Sequence, residues 1–155
     1  MLRHYVKAAL IAVVAGTMYF ALAYFTVGSF FGWAPGFEWS QETFGPLAGT
    51  RVWSHSVHAA AVLVAAMPSA LVLGILGRPH ALRLAALTGV LVAAALFVPS
   101  LLHPEVRLYL DAADYVIAGI DSLKMVLILM LLTWLVGKLP SDNVFEPSDY
   151  SGRGR

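Results

Sequence analysis

The residues with chemical potential in this chain are few and fall close together in register. Imidazole and carboxylate form the donor set of zinc, iron, copper and manganese sites, and two imidazoles from neighbouring helices can clamp a haem iron axially. His55 and His58 are three residues apart, so on a helix they share a face. His103 closes a later apolar run just before Pro104. Asp114, Asp121 and Lys124 follow at steps of seven and three, again one helical face. A haem b or other cofactor would take His55, His58 and His103, and a divalent metal would add Asp114 and Asp121. A proton or ion path would use Asp121, Lys124 and His58, because ionisable groups inside apolar segments often mark such paths. Against these stands a structural reading: Asp121 and Lys124 neutralise each other, and the histidines hydrogen-bond loop carbonyls.

Other chemistries are excluded by what the chain lacks. With no cysteine there is no disulfide, thiolate metal site, iron–sulfur cluster or thiol nucleophile. No nucleotide-binding loop, dinucleotide fingerprint, Gly-x-Ser-x-Gly elbow or His-Glu-x-x-His motif occurs. A formal net charge of +1 provides no field for nucleic acid, so none is expected as a partner.

The elements that must position these groups are set by hydropathy. Of 155 residues, 59% are hydrophobic and only 12% charged, with a mean hydropathy of +0.77, more than a soluble surface tolerates. The expectation is an all-α integral membrane protein, a four-span bundle over residues 1–138. Its spans are placed at about 5–27, 52–76, 84–102 and 115–136, each near the ~20 apolar residues that cross a bilayer. The second and third spans form a hairpin through 77–83, which brings His55, His58 and His103 to one end. This architecture is similar to that of small His-containing four-helix membrane cytochromes, a likeness that carries no function by itself.

Lysine and arginine orient the chain. Arg3, Lys7, Arg78, Arg83, Lys138, Arg153 and Arg155 fall on one side and only Arg51, Arg107 and Lys124 near the other, so both termini are expected in the cytoplasm. The composition suggests a bacterial inner membrane. Arg3, His4 and Lys7 before an apolar run ending in Ala21-Leu22-Ala23 also resemble a signal peptide, but the run continues through Val27 and the segment is expected to remain as a span. Gly28 to Thr50, rich in Gly, Pro and aromatic rings, is expected to be an outer loop anchored at the headgroup level. Glu105 to Tyr115 suits a short interfacial helix, and 139–155 a disordered cytoplasmic tail.

Helix packing in lipid relies on small residues. Three seams are expected: Ala8-Ala12-Gly16, Ala61-Ala65-Ser69 and Ala85-Gly89-Ala93. Pro68 is expected to kink the second span. Met125 to Val136 has large side chains and no such seam, so that half of the fourth span is expected to face lipid or a partner. Its outer half, with Asp121 and Lys124, should turn inward. The functional expectation is non-enzymatic, a structural or accessory subunit of a larger membrane assembly, with lipid and a partner subunit or second copy as neighbours.

Overall fold

A computed structural model describes residues 2–107 and 111–139. These form helices α1 (Leu2–Trp33), α2 (Phe37–Phe44), α3 (Pro46–Leu76), α4 (Ala81–Leu102), α5 (Pro104–Arg107, a single turn) and α6 (Ala112–Lys138), with no strand among the described residues. Four helices, α1, α3, α4 and α6, are long and apolar enough to cross a membrane. The expected tail lies outside the described residues apart from Leu139, as does part of the expected interfacial helix.

Helix boundaries follow local chemistry. Gly36 and Gly45, at φ of 91° and 84°, make the two sharp turns around α2. Pro46 then occupies the first turn of α3, where its missing N–H costs no hydrogen bond. Asp111 caps α6 by accepting from the N–H groups of Ala113 and Asp114, while the Asp114 carboxylate accepts from the Asp111 N–H, a reciprocal capping box. At the opposite end Arg78 donates to the carbonyls of Gly74, Gly137 and Leu139, satisfying the last turns of both α3 and α6. Pro68 and Pro99 lie within helices that continue past them.

Two boundaries and one packing arrangement differ from the sequence expectation. The stretch Gly28 to Thr50 is mostly helical: α1 runs on to Trp33, α2 fills the middle, and α3 starts at Pro46. The link between α3 and α4 is only 77–80. More consequential, α3 and α4 do not pack as a hairpin. Their direct contact is slight, and each instead packs on both α1 and α6, giving a ring in the order α1, α3, α6, α4. A four-residue link can join diagonal helices as readily as adjacent ones, because it fixes the end-to-end gap and not the packing along the shafts.

The ring closes by pairing small with large. On α3 the residues Ala61, Val62, Ala65, Ala66, Ser69, Ala70, Leu73 and Gly74 are buried, which includes the whole expected seam. The α4 seam is also buried, at Ala85, Gly89 and Ala93. On α1 the expectation is off by one position: Ile11, Ala15, Tyr19 and Ala23 are buried, whereas Ala8, Ala12 and Gly16 are only partly covered. The inner half of α6 is likewise not wholly outward, since Met125, Leu129 and Thr133 form a buried stripe at four-residue spacing while Leu123, Leu127 and Leu131 stay exposed. The reason is the same in both cases. Because α3 and α4 supply backbone-close surfaces, their partners can supply bulk: a Cβ added to Gly89 would lie 3.0 Å from the Val126 Cα, and one added to Gly74 would lie 2.7 Å from the Val136 Cβ.

Three polar contacts tie helices together, two of them buried and that of Thr26 part-buried. Ser69 donates to the Ala15 carbonyl at 2.9 Å, Thr26 reaches the Ala61 carbonyl at 3.4 Å, and the Tyr19 hydroxyl crosses the ring to the Met125 carbonyl at 2.9 Å. Tyr19 is wholly buried, so its hydroxyl has no water to fall back on and the contact fixes α1 against α6.

Gly49 shows the tightest local fit. Ser40 of α2 donates to its carbonyl at 2.8 Å, and an added Cβ would sit 2.6 Å from the Gln41 Cα and against the Ser40 carbonyl. Gly49→Ala must therefore push α2 off α3, and we expect it to destabilise the detergent-solubilised protein by about 1–3 kcal/mol. Gly119→Ala, on an α6 surface with nothing within 4 Å, should be neutral or stabilising. Thermal unfolding of both variants checks this, and equal effects would refute the close-packing account.

Candidate functional site

Near the α2 end of the bundle α3 and α6 run side by side, and here four ionisable side chains meet. His58 follows from the α3 seam: it precedes Ala61, Ala65 and Ser69 by helical steps, so it points inward and is 5% exposed. His55 lies one turn nearer the helix start and is half-buried. From α6 come Asp121 and Lys124, three apart on the same face.

The centre of the group is one carboxylate oxygen. Asp121 Oδ1 lies 2.6 Å from Lys124 Nζ, 3.4 Å from His55 Nδ1 and 3.5 Å from His58 Nδ1. Lys124 Nζ also lies 3.0 Å from His55 Nδ1. An ammonium can only donate, so a hydrogen bond in this contact requires Nδ1 of His55 as acceptor, the form of the ring that carries its proton on Nε2. His58 Nδ1 is buried and makes no hydrogen bond. Asp121 is 16% and Lys124 22% exposed, so the pair is neither fully wet nor fully dry.

The remaining candidates lie apart from this group. His103 is the exposed residue that ends α4, in extended conformation, and no hydrogen bond or ion pair ties it to His55 or His58. The diagonal placement of α3 and α4 accounts for this: equal heights along the bundle do not bring two rings together when the shafts barely touch. Asp114 is taken up by the α6 capping box. Among the described residues no group of three or more His, Asp or Glu side chains has a geometry that could hold a metal ion. In the quartet the Lys124 ammonium sits against both Asp121 Oδ1 and His55 Nδ1.

A second feature went unread in the sequence. The ends of α1 and α3 and the short α2 form an open pocket of about 620 Å³ whose walls include Phe30, Trp33, Trp39, Trp53 and Val57. Trp53 is its fixed wall: Phe31 and Phe37 pack edge-on against it, with ring centroids 5.6 and 5.1 Å away, and its indole N–H donates to the Pro35 carbonyl at 3.2 Å. The lining hydroxyls of Ser29 and Ser56 are turned back to carbonyls of their own helices. The signal for this pocket was the density of aromatic residues between Phe30 and Trp53, but the turn at α2 depends on Gly36 and Gly45 and on the α2 to α3 contact.

Comparisons with protein-family models, with curated proteins and with solved structures found no match.

The ion pair is expected to be coupled energetically. Lys124→Met removes the ammonium from the Asp121 carboxylate, and Asp121→Leu leaves an ammonium without its counter-ion. Each single change should cost about 1–3 kcal/mol, and the double variant should cost less than their sum by roughly 0.5–3 kcal/mol. Additive losses in thermal or denaturant unfolding would show that the contact does not contribute as a pair.

Proposed function

We propose that this chain is a four-span integral membrane protein of the bacterial inner membrane, with both termini cytoplasmic, acting without catalysis as a structural or accessory subunit of a larger membrane assembly. The observation that carries the non-catalytic part is the closure of the quartet upon itself. Lys124 neutralises Asp121 and is itself shared with His55, so the cluster's cation and anion are both supplied by the protein. In a lipid-surrounded bundle such a group acts as a polar clasp between α3 and α6, where an unpaired charge would be costly.

Two further features support the membrane and assembly parts. The aromatic belt at one end, with Trp33 at the end of α1 and Trp39 within α2 both strongly exposed, is the arrangement that favours a headgroup layer. The other end carries Arg78, Arg83 and Lys138, with the Lys138 ammonium 5.4 Å from the centre of the Trp134 ring. This is the basic end expected to stay in the cytoplasm. The Leu123, Leu127 and Leu131 stripe of α6 is the surface offered to lipid or to a partner helix.

A second reading is favoured by one observation: His58 Nδ1 is buried, without a hydrogen bond, 3.5 Å from Asp121. A proton relay through His58, Asp121 and Lys124 uses such a group. Proton flux in proteoliposomes that disappears in Asp121→Asn would favour it over the clasp.

Reporter fusions test the orientation. A reporter active only in the cytoplasm should be silent within Gln41 to Gly49 and active at Arg78 to Arg83, and the reverse pattern would overturn the topology. Purification in mild detergent tests the assembly: a co-purifying membrane partner or a stable homo-oligomer is the expected result. A strictly monomeric, partner-free chain would count against the subunit role and leave the fold untouched.

A further inference from the structure

The quartet places one lone pair, Nδ1 of His55, where both an ammonium and a carboxylate address it. Lys124 Nζ is 3.0 Å from that nitrogen and Asp121 Oδ1 is 3.4 Å from it. While the ring is neutral, Nδ1 accepts from Lys124. Once Nδ1 carries a proton it has no lone pair for the ammonium, and two cations face each other at hydrogen-bond distance. The same proton, however, points toward Asp121.

We infer that Asp121 is the pivot of a proton-operated exchange of partners: neutral His55 leaves Asp121 paired with Lys124, and a proton taken up on His55 Nδ1 replaces Lys124 as the cation on that carboxylate. The balance is simple. A hydronium ion gives its proton to the Nδ1 lone pair and leaves as water; no covalent bond forms between side chains, Lys124 keeps its own proton, and the cluster goes from neutral to one positive charge. Lys124, long and partly exposed, is the member free to swing away. His58 stays against the carboxylate on the buried side.

The path for the proton is on the same face. His55 lines a cavity of about 470 Å³ together with Arg51, Ala112, Val116 and Ile120, which opens the ring to the end of the bundle while His58 lies deeper. The charged groups around the pivot are few. Arg51 and His58 come from α3 and Asp114, Asp121 and Lys124 from α6, and among the described residues neither α1 nor α4 makes an ion pair or hydrogen bond to the cluster. Such an exchange would make the clasp between α3 and α6 depend on proton concentration, as imidazole groups do in other proton-sensitive contacts. The inference rests on the quartet geometry and is independent of the subunit role.

Nitrogen-15 spectra of the histidine rings of the full chain in detergent micelles, titrated between pH 8 and pH 5, test this directly. At pH 8 His55 should show the neutral form protonated on Nε2. At pH 5 it should carry protons on both nitrogens. An Nδ1-protonated neutral ring at pH 8, or a ring still neutral at pH 5, overturns the exchange. Lys124→Met supplies the second arm: removing the competing ammonium should move the midpoint of the His55 titration to higher pH by about one unit, a tenfold gain in proton affinity. An unchanged midpoint means that Lys124 and the proton do not compete. His55→Gln, whose side-chain oxygen accepts from Lys124 at any pH, should abolish the pH response of the α3 and α6 contact as read by amide exchange. Persistence of the response in that variant also refutes the mechanism.

Discussion

How closely the α3 backbone can be approached governs the rest of this bundle. Small residues predominate on its buried surface, with Ala61, Ala65, Ala66, Ser69, Ala70 and Gly74 among them, and that lets α1 settle on one side and α6 on the other. Four of the helices are apolar enough to cross a membrane, and for helices in such surroundings association depends on contact area and on the few hydrogen bonds that small residues permit. The Ser69 hydroxyl reaching the Ala15 carbonyl is one such bond, available because nothing bulky separates the two helices. Once α1 and α6 are both against α3, α4 has one place left, in the groove between them and diagonal to α3.

The polar quartet is a consequence of that same approach. The seam that presents Ala61, Ala65 and Ser69 to the interior also presents His58, and α6 can bring Asp121 to it only because the two shafts run side by side. Placing ionisable groups at this contact turns a packing interface into one with chemical state. A leucine-filled interface would have one condition, whereas this one has a carboxylate with three nitrogen neighbours and more than one way to satisfy it. Buried and half-buried charges of this kind add little net stability compared with apolar packing, but they are strongly specific about which partner is missing.

The aromatic end is organised by different physics. Two glycines with positive φ fold α2 back on α3, and Gly49 lets the backbones touch. The Trp53 ring is then held by Phe31 and Phe37 while Trp33 and Trp39 stay exposed. The result is a ring-walled end opposite the end where Arg78 ties α3 to α6 through their terminal carbonyls. Each end thus closes with the groups suited to it, rings at one and guanidinium to carbonyl at the other.

Helical periodicity in the sequence was enough to determine the all-α class, the four long apolar helices, the buried seams of α3 and α4, and the inward aim of His58 and of the Asp121 and Lys124 face. These are properties of a single helix: a face is defined by steps of three and four, and a charge in an apolar segment has only inward directions to turn. Only the tertiary structure decided which faces meet. It rotated the α1 contact by one position to Ile11, Ala15, Tyr19 and Ala23, gave α6 a buried stripe at Met125, Leu129 and Thr133, and set α3 and α4, which carry the histidines, on a diagonal. It also gave Asp114 to a helix cap and made a pocket from a stretch that reads as loop. The physical reason is that periodicity fixes angles about each helix axis, whereas the choice of neighbour depends on the fit between surfaces contributed by distant parts of the chain, which no local pattern contains.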